Sequence, residues 1–109
     1  MRTNRVLVVL VTCPNPATAK RIASALVTRR LAACVNLLPG VTSLFWWRNR
    51  ADRAREILLV IKTTRAAFPR LARAVRGLHP YEVPEIIALP VAEGHGPYLR
   101  WVRASVSAA

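Results

Sequence analysis

The sequence predicts one α+β domain, and three observations support this. The chain has 109 residues, the usual size of a single domain. Short runs rich in Val and Leu alternate with amphipathic stretches, which is typical of strands alternating with helices. Apolar residues make up 53% of the chain and charged residues 20%, a balance that excludes a disordered protein. We therefore expect a single domain over residues 1–109.

The first strand and helix are marked by local composition. Arg5–Cys13 is short and rich in Val and Leu, which favours a strand that is apolar on both faces. Asn15 followed by Pro16 is a helix start, because Asn caps a helix and Pro fits the first turn. A helix is predicted over Ala17–Arg30, with an apolar stripe formed by Ala19, Ile22, Ala23, Leu26 and Val27.

A hairpin is predicted next. Cys34–Leu38 and Val41–Trp47 form a strand, and the Pro-Gly pair between them indicates a bulge or bend. The polar stretch Arg48–Ala54 is predicted to be the turn of the hairpin. Glu56–Thr64 then provides the third strand.

The second half of the chain repeats the alternation. A second helix opens at Pro69 and stops before Pro80, which cannot continue it. Pro84–Val91 is predicted to be a fourth strand, and a last short helix runs from Gly96 to about Val106. The second helix has an apolar inner face of Phe68, Leu71, Val75 and Leu78, and a basic outer stripe of Arg70, Arg73 and Arg76.

The order of the first six elements, βαββαβ, is the ferredoxin-like split βαβ arrangement. It places both main helices on one face of an antiparallel sheet and leaves the other face for polar residues. However, both alternations of Val6–Val11 and of Ile57–Ile61 are apolar. The additional C-terminal helix is too short to cover that face, so we expect the chain to oligomerise through its sheets.

The charge is strongly positive. Seventeen Lys and Arg against five Asp and Glu give a net charge of +12, spread along the chain without a block of like charges. This favours either a solvated basic surface or a polyanionic partner. An RNA-binding domain of this topology carries aromatic residues on its central strands, and Val6–Cys13 and Ile57–Thr64 have none. We expect nucleic acid to bind only non-specifically.

Several classes of protein are excluded or disfavoured. The longest apolar run, Val6–Val11, is far below the ~18 residues of a membrane span. The two cysteines, Cys13 and Cys34, are too few for a disulfide scaffold and suit a cytoplasmic protein. The sequence has no Gly-rich phosphate loop or nucleophile elbow, so we do not expect an enzyme. An acylphosphatase-type enzyme would need Gly and Arg after the first strand, where two prolines stand instead.

The densest polar cluster is the segment from His79 to Glu85, which also contains Tyr81 and Glu82. Two prolines stiffen it, so it is either a rigid connector or the lining of a site. Trp46 and Trp47 are the other unusual feature. Neighbouring strand residues point to opposite faces, so one Trp can lie in the core and the other needs a partner subunit or a ligand to cover it.

Taken together, these segments resemble the CutA divalent-cation tolerance family over nearly the whole chain. The matching segments are residues 11–15 (VTCPN), 30–37 (RLAACVNL), 39–40 with Ser43 and Trp47, 62–63 (KT), 79–87 (HPYEVPEII), 89–91 (LPV) and 98–101. The resemblance implies a ferredoxin-like subunit in a tight homotrimer, similar in architecture to the PII signalling proteins. It also implies a cytoplasmic protein linked to tolerance of copper and other divalent metals.

The resemblance also implies candidate site residues. His79 matches a histidine implicated in metal binding in the family, and Cys13 is a weaker candidate ligand. Cu²⁺ or another divalent cation is the implied ligand, with no obligatory cofactor. A PII-like small-ligand sensor is the alternative function. The implied cleft between subunits involves Trp47, Lys62, Tyr81, Glu82 and Glu85.

Overall fold

A computed structural model of the chain describes residues 4–107. Its elements follow the predicted order of strand, helix, strand, strand, helix, strand and helix. Their bounds are β1 Val6–Cys13, α1 Pro16–Thr28, β2 Cys34–Trp47, β3 Arg50–Thr64, α2 Phe68–Leu78, β4 Ile87–Pro90 and α3 Gly96–Ser105.

The four strands form one antiparallel sheet in the order β2-β3-β1-β4. This order confirms the predicted α+β, ferredoxin-like topology. Helix α1 contacts α2 as well as β1, β2 and β3, so the two main helices share one face of the sheet. The predicted strand Pro84–Val91 is shorter than expected, because only Ile87–Pro90 pairs with β1.

Local chemistry sets both ends of α1. The extended backbone of Asn15 lets its side-chain oxygen accept the Thr18 N–H at 2.8 Å, and Pro16 occupies the first turn. At the other end Arg30 has a φ of 58°, and the N–H groups of Leu31 and Ala32 both donate to the Leu26 carbonyl. The helix therefore ends slightly before the predicted Arg30.

The core lies between the helices and one face of the sheet. Directly opposed residues of antiparallel strands share a face, as Val9 does with Ile61 and Val11 does with Leu59. These four side chains are fully buried. The helical residues that are fully buried with them in this core are Ala19, Ile22, Leu26, Leu71 and Val75.

The central part of the opposite face of the sheet is apolar as well. By the strand register it carries Val8, Leu10, Leu38, Leu58, Val60, Ile87 and Leu89. Helix α3 contacts β1 and β3, yet Ile87 and Leu89 remain about half exposed. We call this set the apolar face. The expectation that the sheet is apolar on both sides is confirmed.

The hairpin between β2 and β3 is longer than predicted. Its turn consists only of Arg48 and Asn49, both at positive φ, so residues 50–54 belong to β3 rather than to the turn. The predicted bulge is present, with Gly40 at a φ of 78°. Both Trp46 and Trp47 are exposed, because this end of the hairpin is not covered by the helices. The expectation that one of them can lie in the core is wrong.

The basic stripe predicted on α2 is only partly correct. Arg73 and Arg76 are exposed, whereas Arg70 is half-buried and donates to the Ser107 carbonyl at 2.9 Å. Arg30 similarly donates to the Ala104 carbonyl at 3.1 Å. These arginines satisfy carbonyls at the C-terminal end of α3, where a helix leaves its last acceptors unpaired.

Candidate functional site

A cavity of about 730 Å³ lies beside the β2–β3 hairpin and the loop that follows α2. Four of the five carboxylates of the chain line it: Asp52, Glu56, Glu82 and Glu85. Because the whole chain carries +12, this cavity has the opposite sign to the rest of the protein. We call it the acidic cavity. The other lining residues are Thr12, Ser43, Leu44, Phe45, Trp46, Trp47, Tyr81 and Val83.

His79 fastens the loop after α2 to the first strand. It is buried at the C-terminal end of the helix, and its Nε2 lies 2.7 Å from the Thr12 carbonyl. Its Nδ1 accepts the Tyr81 N–H at 3.1 Å. An acceptor at Nδ1 and a carbonyl at Nε2 together define the neutral ring with its hydrogen on Nε2. Both ring nitrogens are therefore engaged within the chain.

Tyr81 connects this loop to the buried carboxylate of Glu56. Its hydroxyl donates to Glu56 Oε2 at 2.8 Å, and its ring lies 4.7 Å from that of His79. Burial, followed by the hydrogen bond to Glu56 and its charge, raises the pKa of Tyr81 to about 12. The phenol is thus a permanent donor at neutral pH.

The charge of Glu56 also contributes to the pKa values of two further groups, Cys13 and Glu85. Burial, and then Glu56, raises the pKa of the Cys13 thiol to about 11. The same two causes raise the pKa of Glu85 above its usual value. These shifts share a sign because burial and the negative charge of Glu56 both favour the protonated form of each group.

The raised pKa of Cys13 predicts a loss of stability at alkaline pH. The thiol is protonated in the folded chain up to about pH 11, whereas the unfolded thiol ionises near 9.0. Its contribution is therefore complete below pH 9 and lost as pH rises toward 11, by about 2 kcal/mol. Urea unfolding at pH 8 and pH 11 should show a smaller difference for Cys13→Ala than for the wild type. Cys34→Ala is the matched control and should keep the wild-type difference.

The structure brings most of the predicted site residues together. Tyr81, Glu82, Glu85 and Trp47 line the acidic cavity, and His79 packs against Tyr81 behind it. Lys62 lies elsewhere: it is six residues along β3 from Glu56, about 20 Å away, and its ammonium bonds the Asn36 side chain.

Two acidic residues of the cavity, Glu56 and Asp52, were not predicted as site residues from the sequence. Glu56 does carry a signal, since it is one of only five acids and directly precedes the apolar run of β3. Asp52 gives no comparable signal. Among residues 4–107, no three His, Cys, Asp or Glu side chains are grouped closely enough to hold a metal ion.

An exposed ion pair connects the turn of the β2–β3 hairpin to the loop that follows α2. Arg48 Nη2 lies 3.5 Å from Glu82 Oε1, and the Arg48 guanidinium lies 5.4 Å from the centre of the Trp47 ring. Both partners of the ion pair are largely exposed, so it contributes little to stability. Within the described part of the chain, no helix is both long and apolar enough to cross a membrane.

Comparison with known proteins gives consistent matches. Residues 7–105 match the family model for the CutA1 divalent ion tolerance protein. The CutA divalent-cation tolerance protein of Thermus thermophilus is 54% identical over 96 residues, which are 88% of this chain and 93% of that protein. Human protein CutA is 54% identical over 93 residues, 85% of this chain, and the chain spans about half (52%) of its length.

Solved structures agree with these matches. The divalent cation tolerance protein of Thermus thermophilus superposes with a TM-score of 0.92 at 51% identity, covering 94% of this chain and 99% of that one. CutA1 from Oryza sativa gives a TM-score of 0.94 at 40% identity, with 98% of each chain covered. Together with the antiparallel βαββαβ fold, these matches show that the chain belongs to the CutA1 divalent ion tolerance family.

Proposed function

We propose that this protein binds divalent cations, Cu²⁺ in particular, as a homotrimer and without catalysis. The observation that carries the proposal is the gathering of four of five carboxylates in one cavity of a chain with a net charge of +12. A charge distribution of this kind attracts cations to one place and keeps them from the remaining surface. The names of the relatives, which refer to divalent-cation tolerance, support the same function.

The proposed ligands come from the loop after α2. Burial and then the charge of Glu56 raise the pKa of Glu85, and a bound cation would relieve the repulsion between the two carboxylates. The His79 imidazole suits copper, and because its hydrogen is on Nε2, its Nδ1 becomes a ligand when the hydrogen bond from the Tyr81 N–H opens. Cys13 is a secondary candidate, because a thiol with a pKa of about 11 resists the deprotonation that metal binding needs.

The apolar face supports assembly into a trimer. Ile87 and Leu89 of the apolar face are about half exposed in a single chain. Covering this surface with further copies would contribute about 25 cal/mol for each Å² removed from water. Light scattering at micromolar concentration should give three times the 12.1 kDa of one chain. A folded species of 12.1 kDa would contradict the proposed trimer.

Calorimetry with Cu²⁺ and Zn²⁺ tests cation binding. We expect binding by the wild type, stronger for Cu²⁺ and weakening as the pH falls, because ligands must lose their protons. No heat of binding for either metal at millimolar concentration would contradict the proposal.

The variant His79→Ala tests the role of the imidazole. We expect it to lose most Cu²⁺ binding while light scattering still gives the wild-type mass, since His79 lies apart from the apolar face. His95→Ala is the matched control, because it removes the other histidine of the chain and leaves the acidic cavity unchanged. If His79→Ala binds Cu²⁺ with wild-type affinity, His79 is not a ligand and only holds the loop after α2 in place.

The size of the cavity favours a second candidate, a PII-like sensor of a small organic ligand. A volume of about 730 Å³ is far larger than one cation needs and falls within the range of small-molecule sites. The carboxylates disfavour an anionic ligand such as free ATP. Calorimetry with Mg²⁺-ATP on the wild type and on Glu56→Gln tests this candidate, since binding that is unchanged in Glu56→Gln would exclude the acidic cavity as the ATP site.

Two potential nucleophiles near the acidic cavity, Cys13 and Tyr81, support a binding role rather than catalysis. The pKa of Cys13 is about 11 and that of Tyr81 is about 12, so both stay protonated and weakly nucleophilic at neutral pH. We place the protein in the cytoplasm, where two unpaired cysteines are stable. A relative from Archaeoglobus fulgidus is named periplasmic, so cell fractionation is the direct test.

The positive charge should give nucleic acid binding without sequence preference. Contacts made by scattered arginines release counterions, so affinity for a DNA duplex should fall by about 10³-fold or more between roughly 50 mM and 200 mM salt. Fluorescence anisotropy with two unrelated duplexes measures this. Sequence-selective binding that persists at about 200 mM salt would instead indicate direct readout of bases.

A further inference from the structure

A second cavity, of about 550 Å³, lies where β1 begins and where β3 and β4 end. Three arginines line it, namely Arg5, Arg65 and Arg103. Its remaining walls are apolar, and none of its lining residues is acidic. These walls are formed by Val6, Val91, Ala92 and Leu99.

The framework of this cavity is held by hydrogen bonds between its walls. The Arg65 N–H donates to the Arg5 carbonyl at 2.8 Å, and the Val91 N–H donates to the Val6 carbonyl at 3.1 Å. Arg103 is half-buried, and its Nε donates to the Asn4 carbonyl at 3.0 Å. That bond orients the guanidinium and leaves its four other N–H groups for a ligand.

The three guanidinium groups lack an acidic partner. Within residues 4–107, the ion pair that does form is between Arg48 and Glu82, in the acidic cavity and not in this one. Like charges that share a cavity repel one another, and an anion bound among them removes that repulsion. The unbalanced charge therefore favours an anion as the occupant of this cavity.

We propose that this cavity is a binding site for a small organic phosphate. Guanidinium groups bind phosphate oxygens in a bidentate manner, and a phosphate dianion partly balances three of them. The volume of about 550 Å³ exceeds what inorganic phosphate needs, and the apolar walls suit the organic part of the ligand. The site is separate from the acidic cavity, so it does not depend on cation binding.

Calorimetry with phenyl phosphate and with inorganic phosphate, in the presence of EDTA and physiological salt, tests the proposal. We expect phenyl phosphate to bind at least tenfold more tightly than inorganic phosphate, because only the former uses the apolar walls. Equal affinity for the two would overturn the assignment of an organic ligand, and no binding of either would overturn the site.

Variants that each remove one positive charge distinguish binding at this cavity from a general effect of the net charge of the protein. Arg65→Gln and Arg5→Gln should each weaken phenyl phosphate binding at least tenfold. Arg73→Gln, which removes the same charge from an exposed position of α2, should change it less than twofold. Both pocket side chains are exposed and their backbone bonds do not depend on them, so the variants should fold. Equal weakening by all three variants would show that only net charge acts and would overturn the proposal.

Discussion

Replacing Leu89 with glutamate should abolish the proposed trimer. Leu89 lies on the apolar face opposite Val8 of β1 and is 49% exposed in a single chain. Assembly through the sheets would bury this position, and an unpaired carboxylate there would cost several kcal/mol. We expect light scattering to give the mass of one chain. We also expect the midpoint of thermal unfolding to fall and to lose its dependence on protein concentration.

Val27→Glu is the matched control for this variant. Val27 is 44% exposed, similar to Leu89, but it lies on α1, which packs on the opposite side of the sheet. This variant should keep the wild-type mass. If Leu89→Glu keeps the trimer mass, or if both variants dissociate, assembly through the apolar face is contradicted.

The order of the elements could be predicted because local composition determines it. The N-cap at Asn15, the bulge with Gly40 and the double apolar alternation of β1 each require only neighbouring residues. The exposed apolar face was predictable for the same reason. Nothing beyond the alternation of Val6–Val11 and Ile57–Ile61 is needed to see that both sides of the sheet are apolar.

The end of the hairpin was not predictable from local composition. Residues 50–54 are polar and resemble a turn, but they form a strand because they pair with the apolar end of β2, as Asp52 does with Phe45. This pairing also extends the hairpin past the helices, which leaves Trp46 and Trp47 exposed. Tertiary pairing here overrides the local signal.

The residues of the candidate site likewise fall into those that local sequence identifies and those that only the fold brings together. His79, Tyr81, Glu82 and Glu85 are neighbours in sequence, so their clustering was visible before the fold was known. Glu56 is 25 residues from Tyr81, and only the sheet and the loop after α2 bring the two together. The acidic character of the cavity could therefore not be predicted from any single segment.

Glu56→Gln should weaken Cu²⁺ binding at least tenfold if the acidic cavity holds the cation. Glu56 is buried, accepts the Tyr81 hydroxyl and adds its charge to the field at Cys13 and Glu85. Neutralising it keeps the shape of the side chain and removes the central charge. The same substitution should lower the pKa of Tyr81 from about 12, because the negative charge of Glu56 is lost while burial, the largest cause of the shift, remains. Ultraviolet titration of the phenolate measures this without metal.

Glu93→Gln is the matched control for Glu56→Gln, since Glu93 is the one carboxylate that does not line the acidic cavity. It should leave both the Cu²⁺ affinity and the Tyr81 titration unchanged, because it removes the same charge from a position outside the cavity. Wild-type Cu²⁺ affinity in Glu56→Gln, together with a shifted Tyr81 titration, would show that the cavity is acidic but does not bind the cation.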